Sequence, residues 1–209
     1  MKFKNRESER VELQDGRVVW LSRSPAVMSI IVAKVGRWWQ KKKYFVVTSV
    51  RGKDTPDFQG YHCCPCGYLD WDENGFEGAA REVWEETNLN VVRLILSNSL
   101  QLDSKKHKVK IVDHHYGDSP WSVNSSPYAN KQNVTIGYAL AFQVKTADVL
   151  PKLSGVNVNR EDYEEVASAD WTPLEDILAR KERFAFNHDL QIISYIKHLK
   201  TKSRFRLGR

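Results

Sequence analysis

The chain has 209 residues, of which 41% are hydrophobic and 28% charged, so it can form one globular domain with a sizeable core and leaves little for a second. Its longest apolar stretch, around Val27–Val35, is too short to span a bilayer, and the charged N-terminus contains no apolar signal region; we therefore expect a cytoplasmic protein without a membrane partner. The formal net charge of +6 arises at the C-terminus, because Ile196–Arg209 contains six basic and no acidic residues, while the other 26 basic residues balance the 26 acidic ones.

The first part of the chain is predicted to be rich in strands. Arg17–Leu21 and Ala26–Val35 contain many Val and Ile residues, and a turn at Ser22–Pro25 separates them. Tyr44–Val50 is a further strand, and it is expected to form a hairpin with the strand before it. Proline and glycine residues interrupt Gly52–Gly60, which is therefore predicted to be a loop.

The stretch Phe76–Thr87 predicts an amphipathic helix, because it lacks proline and its apolar residues recur at helical intervals. Glu85 and Glu86 follow Glu82 by three and four residues, so the three side chains share the opposite face of that helix. Three carboxylates so close repel one another unless a hard cation lies between them. Such a cation also neutralises phosphate oxygens and lowers the pKa of a bound water. The spacing therefore predicts a divalent-metal site suited to diphosphate chemistry.

The second part of the chain predicts alternating strands and helices. In chain order these are strands at Val91–Leu100 and Lys108–His115, a long loop at Gly117–Gln132, strands at Asn133–Val144 and Ser168–Thr172, and helices at Leu174–Lys181 and His188–Lys200. Pro173 suits the first turn of the first of these helices, and Asn187 can cap the second. The last helix is expected to bury an apolar stripe formed by Leu190, Ile193, Ile196 and Leu199. This order predicts a mixed sheet between helices, an α/β/α sandwich.

Three cysteines are clustered at Cys63, Cys64 and Cys66. An odd number within four positions is not a disulfide framework, and it indicates a reducing compartment. Together with His62 they are too cramped to ligate one zinc ion as two separated pairs. We interpret them as packing residues close to the metal site.

The segment from Gly67 to Leu89 carries a more specific pattern. Five residues separate Gly67 from Glu73, and seven more precede Arg81, where the run REVWEETNL begins. This pattern resembles the signature of the Nudix hydrolases, G-x5-E-x7-R-E-U-x-E-E-x-G-U, in which U is a bulky apolar residue. Asn88 is the one departure, since the signature has glycine there. Asparagine tolerates the left-handed conformation at a helix C-terminus, so we interpret Asn88 as a conservative cap.

The resemblance implies an α/β fold, the Nudix-type α/β/α sandwich with a mixed β-sheet. We expect the Nudix domain at 24–200, an N-terminal extension with a strand packed on it at 1–23, and a basic C-terminal tail at 201–209. The cofactor implied is Mg²⁺ or Mn²⁺. Its ligands would be Glu82, Glu85, Glu86 and a main-chain carbonyl at Cys66 or Gly67.

The resemblance also assigns roles in a reaction in which water attacks phosphorus. The base would be a carboxylate of the signature, Glu82 or Glu85, or a later residue among Glu161, Glu164 and Glu165, of which we select Glu165. Arg81 is included in the catalytic set because it would orient a metal-binding carboxylate, and Glu73 would be structural. Arg51 is selected to hold a phosphate and Trp71 to stack on a base. His114 and His115 are interpreted as structural or solvent-facing.

The implied reaction is cleavage of the diphosphate linkage in a nucleoside diphosphate joined to another moiety, of the ADP-ribose, dinucleotide or nucleotide-sugar type. Two alternatives remain open. A non-catalytic nucleotide-sensing module is disfavoured because such modules tend to lose carboxylates that this chain retains. An RNA-decapping hydrolase would use the basic tail to contact the transcript. The expected partner is a nucleotide-derived small molecule, and a homodimer is compatible with the resemblance.

Overall fold

The computed structural model describes residues 9–21, 25–37, 39–102, 105–117, 119–128, 131–155 and 164–205. The predicted base candidate Glu161 lies outside the described residues. The strands are β1 (Glu9–Glu12), β2 (Val18–Leu21), β3 (Pro25–Val35), β4 (Lys43–Arg51), β5 (His62–Cys63), β6 (Cys66–Tyr68), β7 (Ser99–Leu102), β8 (Lys105–Lys108), β9 (Lys110–His114), β10 (Ser122–Tyr128), β11 (Lys131–Val144) and β12 (Val166–Pro173). The helices are α1 (Gly75–Thr87), α2 (Val91–Ser97), α3 (Leu174–Leu178) and α4 (His188–Phe205), with 3₁₀ turns at Ala147–Val149 and Ala185–Asn187.

The main sheet is mixed and has eight strands. Its central order is β10-β11-β3-β4-β12, while β5 pairs with β4, β6 with β3, and β9 with β11. β11 runs parallel to β3, and the other pairs of this sheet are antiparallel. The predicted hairpin of β3 and β4 is confirmed, with Val32 opposite Val46. β1 and β2 form a separate two-stranded sheet, as do β7 and β8.

Both faces of the main sheet are covered, and β3 shows how. Val27 and Ile31 belong to the core cluster that contains residues of α1 and α2. Met28 and Ile30, which alternate with them, belong to the cluster that contains residues of α3 and α4. A strand buried on both faces has a near-continuous apolar sequence, as this one does. The predicted α/β/α sandwich is therefore confirmed.

The predicted strand at Val91–Leu100 is wrong, because the structure has helix α2 followed by strand β7. The Asn90 side chain accepts a hydrogen bond from the Arg93 amide at 2.8 Å and so caps the helix. Asn98 ends it in the left-handed conformation. Val91 and Leu94 are its buried residues, three apart as one helical face requires. A short apolar run such as VVRLIL does not by itself distinguish a helix from a strand.

The predicted long loop at Gly117–Gln132 is also wrong, because it contains strand β10. β10 pairs with β11 along its whole length, from Ser122 opposite Gly137 to Tyr128 opposite Lys131. The strand lies at the edge of the sheet, where polar residues and Pro127 are tolerated because one side of the strand needs no ladder partner.

The two C-terminal helices begin at their predicted residues but end differently. α3 begins at Leu174, with Pro173 as its N-cap, and ends at Leu178 instead of Lys181. α4 continues to Phe205, past the predicted end at Lys200, so the first residues of the predicted basic tail are helical.

The apolar stripe predicted for α4 is wrong at Leu190, which is 53% exposed, and Ile193 is only half-buried. The buried face consists of Ile192, Tyr195, Ile196 and Leu199. These positions follow the i, i+3, i+4, i+7 spacing of one helical face, whereas Leu190 lies outside it. None of the helices that the structure describes has the length and apolar character needed to cross a membrane.

Candidate active site

Helix α1 positions the carboxylates, and its two ends are defined by asparagines. The Asn74 side chain accepts hydrogen bonds from the amides of Phe76 and Glu77 at 3.0 Å, and the Glu77 carboxylate accepts one from the Asn74 amide at 3.0 Å. This is a capping box, which satisfies amides at the helix N-terminus. Asn88 has φ 58° and ψ 17°, so the predicted left-handed cap is confirmed.

Arg81 is buried and joins two of the carboxylates to the loop before the helix. Its Nη1 donates to Glu82 at 2.7 Å and to Glu85 at 2.9 Å. Its Nε and Nη2 donate to the Glu73 carboxylate at 3.0 and 2.6 Å, and Nη2 also donates to the Tyr68 carbonyl at 2.9 Å. The planar guanidinium therefore fixes the orientation of Glu82 and Glu85 relative to the Tyr68–Glu73 loop.

Glu86 is held from the opposite side by the sheet. The Ser49 hydroxyl of β4 donates to one carboxylate oxygen, and the Cys66 amide of β6 donates to the other at 3.0 Å. Burial and the neighbouring Cys63 thiol raise the pKa of Glu86 well above its ordinary value. The three glutamates form what we call the carboxylate site: Glu82, Glu85 and Glu86.

Positive charge is scarce in the carboxylate site. Burial, and secondarily the charge of Glu85, raise the pKa of Glu82 to about 8 despite the opposing effect of Arg81. Burial also raises the pKa of Glu85, although Arg81 lowers it. For Arg81, burial lowers the pKa, but the hydrogen bond with Glu73 and the charges of the glutamates raise it above its ordinary value. One guanidinium thus faces several buried carboxyls, a donor set that fits a hard cation.

Gly67 is required by the close approach of Glu82. A Cβ atom at this position would lie 2.2 Å from Oε1 of Glu82, well inside van der Waals contact. β6 holds the glycine in place, because Gly67 pairs with Val27 of β3. The turn of the signature therefore brings its backbone directly against a carboxylate of α1.

Glu165 lies at the exposed rim of the carboxylate site. The Gly52 amide donates to its carbonyl at 2.7 Å, and the Glu164 amide donates to the Asp54 carboxylate at 2.8 Å. Although the residue as a whole is exposed, desolvation of its carboxyl group raises the pKa of Glu165, and Arg51 lowers it. The charge of Glu165 in turn raises the pKa of Glu82. The structure therefore brings this predicted residue within electrostatic range of the carboxylates.

The two residues predicted to bind substrate are both near the ends of elements that form the site. The Nε atom of Arg51, the last residue of β4, donates to the Asp57 carbonyl at 2.8 Å, and its guanidinium lies 5.1 Å from the ring centroid of Phe186. Trp71 is 67% exposed in the segment between β6 and α1.

Ser49 is a site residue that the sequence did not indicate. It lies 37 positions before its partner Glu86 and belongs to no recognisable motif, and only the pairing of β4 with β5 and β6 with β3 brings it there. Its hydroxyl oxygen is also 3.2 Å from the Cys63 sulfur. Cys63 and Cys64 are buried and Cys66 is half-buried, and the Cys66 amide contacts Glu86. The cysteines therefore lie near the site, and their interpretation as packing residues stays a prediction.

Known proteins share the fold of this chain. The family described as NUDIX domain matches residues 23–192, whereas no curated protein matches the chain. The NUDIX domain of Shewanella oneidensis NrtR, solved with ADP ribose, is similar with a TM-score of 0.53 and 17% identity, over 85% of this chain and 89% of that one. A NUDIX-family hydrolase from Clostridium perfringens is similar with a TM-score of 0.50 and 16% identity, over 86% of this chain and 99% of that one.

A third similar structure is a bifunctional NMN adenylyltransferase/ADP ribose pyrophosphatase from Francisella tularensis, complexed with AMP and a Mn ion. Its TM-score is 0.56 at 15% identity, and the match covers 85% of this chain but 42% of that protein. At these identities the likeness shows a common fold.

Proposed function

Because the chain belongs to the NUDIX family, we propose that it is a metal-dependent pyrophosphohydrolase that cleaves the diphosphate linkage of a nucleoside diphosphate derivative. The observation that carries this proposal is the convergence of Glu82, Glu85 and Glu86 beside the Gly67 turn. Oxygen donors brought together in this way, with a single arginine among them, are suited to a hard divalent cation and through it to a diphosphate.

Mg²⁺ or Mn²⁺ fits this donor set. The three carboxylates and a main-chain carbonyl at Cys66 or Gly67 would hold the ion, and all of these donors are oxygen atoms. When bound, the ion would neutralise phosphate oxygens and make a water more acidic. The Mn ion in the Francisella tularensis protein supports this choice.

We assign the other roles in the reaction to four residues of this chain. Arg81 holds Glu82 and Glu85 in place through two charged hydrogen bonds, so their orientation is set before substrate arrives. Glu165 at the rim is assigned as the base that accepts the proton of the attacking water, with Glu85 as the alternative. Arg51 is assigned to a phosphate of the substrate, and the exposed Trp71 ring to stacking on its base.

ADP-ribose is the first substrate to test, because the similar NrtR domain was solved with that molecule. The panel should also contain NADH, diadenosine polyphosphates, nucleotide sugars, nucleoside triphosphates and capped RNA, each incubated with Mg²⁺ or Mn²⁺ and with a chelator. Products are identified by chromatography. Cleavage of one class that stops with chelator supports the proposal. Binding of one member without cleavage of any contradicts it and favours the sensing alternative.

The decapping alternative needs a different test from removal of the basic C-terminus. Ile196 and Leu199 are in the core, so deleting Ile196–Arg209 would disrupt α4. A sharper variant combines Lys197→Ala, an exposed position of α4, with removal of residues 206–209. If RNA is the substrate, turnover of capped RNA falls and loses part of its salt dependence, whereas turnover of ADP-ribose is unchanged.

A further inference from the structure

A second group of polar side chains lies between β9 and α4, on the other side of the main sheet from α1. Asp113 of β9 pairs with Ala141, which belongs to the α3 and α4 core cluster, so its side chain is on that face. His115 follows β9, and His198 is on α4. We call Asp113, His115 and His198 the imidazole site.

The spacing of residues along α4 directs three side chains at Asp113. Tyr195, His198 and Lys202 follow an i, i+3, i+7 pattern and therefore share one helical face. The Tyr195 hydroxyl donates to Oδ2 of Asp113 at 3.1 Å, and the Lys202 ammonium binds Oδ1. Oδ1 is thus paired with lysine, whereas Oδ2 accepts from Tyr195 and also faces the imidazoles.

The two histidines place buried nitrogen atoms next to that second oxygen. Nε2 of His115 is 3.3 Å and Nε2 of His198 is 3.5 Å from Oδ2 of Asp113. Both nitrogen atoms are buried and make no hydrogen bond with any part of the chain that the structure describes. Buried polar atoms are ordinarily paired, so two orphaned nitrogens aimed at one carboxylate indicate a missing ligand.

Aromatic packing holds the imidazole rings in these positions. The His198 ring is stacked on Tyr195 at an interplanar angle of 12°, and its centroid is 4.9 Å from that of Trp121. The His115 ring lies edge-on to Trp121 at 5.2 Å. The ligand atoms are therefore pre-oriented by the core and not by exposed, mobile side chains.

We propose that Asp113, His115 and His198 bind a divalent transition-metal ion of the Zn²⁺ type. Their candidate ligand atoms all lie within 4.8 Å of one another. Tetrahedral zinc with bonds of about 2.0–2.1 Å places its ligands about 3.3 Å apart, close to the two nitrogen-to-oxygen distances found here. Imidazole nitrogen selects ions of this class over Mg²⁺. Three protein ligands leave a fourth position for water, and Lys202 and Tyr195 support the carboxylate from outside.

The test uses the full chain after metal removal, refilled with saturating Mg²⁺ so that Zn²⁺ uptake at the carboxylate site is suppressed. Zn²⁺ is then titrated by calorimetry and by thermal unfolding. We expect one Zn²⁺ per chain with a raised Tm. In His198→Gln the affinity for this Zn²⁺ ion should fall about 100-fold. The matched control is His114→Gln. His114 is an exposed histidine on β9, the strand that contains Asp113, and this variant should bind Zn²⁺ as the wild type does.

A measurement on the wild type alone tests the proposal even if the variant fails to fold. Co²⁺ added in place of Zn²⁺ should produce the visible ligand-field bands of a tetrahedral site, and Zn²⁺ should abolish them. Equal Zn²⁺ affinity in wild type and folded His198→Gln would overturn the proposal, as would the absence of these Co²⁺ bands in the wild type.

Discussion

The carboxylate site and the imidazole site lie on opposite faces of one sheet and differ in almost every chemical respect. The first has three carboxyl groups and one arginine, so oxygen donors are in excess. The second has one carboxylate, already paired with Lys202, and two imidazole nitrogens. Oxygen donors suit a hard cation, whereas imidazole donors suit a borderline one. The two faces of the domain therefore present two different kinds of donor set, one suited to a hard cation and diphosphate chemistry and one to a borderline transition-metal ion.

The largest expected effect comes from neutralising one carboxylate of the first site. Glu85→Gln or Glu86→Gln should lower kcat by about a thousandfold or more, because the proposed metal would contribute several kcal/mol to the transition state and about 1.4 kcal/mol is a factor of ten. Circular dichroism should show the fold unchanged. Glu77→Gln is the control, since glutamine preserves the capping box. Near-wild-type rates under saturating Mg²⁺ in either site variant would contradict the metal assignment.

A smaller loss is expected from Arg81→Lys. Lysine retains the charge but cannot make the forked contacts to Glu73, Glu82 and Glu85 at once. We expect kcat/KM to fall about 100-fold and the free energy of unfolding to fall by about 2 kcal/mol. Steady-state kinetics and urea denaturation measure the two quantities. Zn²⁺ binding at the imidazole site should not change, and a change there would show that the two faces are coupled.

Gly67→Ala should have a more moderate effect on the same site. Its Cβ would displace the Glu82 carboxylate, from which it would be 2.2 Å away. Because the end of a glutamate side chain can move, we expect the affinity for Mn²⁺ to fall about tenfold and not to vanish. Manganese titration followed by electron paramagnetic resonance checks this. Unchanged Mn²⁺ affinity would mean that Glu82 does not contribute to the metal site in its present position.

The smallest effect on Zn²⁺ binding at neutral pH is expected for a substitution of His188. This buried histidine lies outside the imidazole site, and its Nδ1 has a hydrogen-bond partner. Its Nδ1 accepts a hydrogen bond from the Cys64 amide at 3.0 Å. Burial, and secondarily the charge of Arg51, lower the pKa of His188 to about 3. The ring is therefore neutral in the folded protein, and His188→Asn, which keeps an acceptor near the Nδ1 position, should leave Zn²⁺ binding unchanged.

The pH dependence of stability tests this assignment. Between about pH 6.5 and pH 3 the unfolded chain binds a proton at His188 that the folded chain does not. This residue therefore makes the wild type lose stability as the pH falls, by up to about 1.4 kcal/mol per pH unit. His188→Asn should lack this component, so the stability difference between the two proteins should change with pH. A difference that is constant from pH 7 to pH 4 would show that His188 titrates normally.

The regions that were predicted correctly and those that were not differ in where their determinants lie. α1, its Asn88 cap and the β3–β4 hairpin follow from local periodicity and capping, and each is confirmed. The predictions for the segments of α2 and β10 are wrong, because a short apolar run and a polar edge strand have no distinctive local pattern. The prediction that Leu190 is buried is wrong, because hydrophobicity is a property of the residue itself, whereas the rotation of α4 relative to the sheet is set by tertiary packing.

The sequence by itself determined the carboxylate site, because its three glutamates lie within one turn and a half of a single helix and the helical period alone puts them on one face. Only the tertiary structure decided what surrounds that face, including Ser49 and the rim residue Glu165. It alone also brought His115 and His198 together, since they are some eighty residues apart and meet because α4 packs across β9. Contacts within one element are encoded in spacing, whereas contacts between elements depend on how their apolar faces pack.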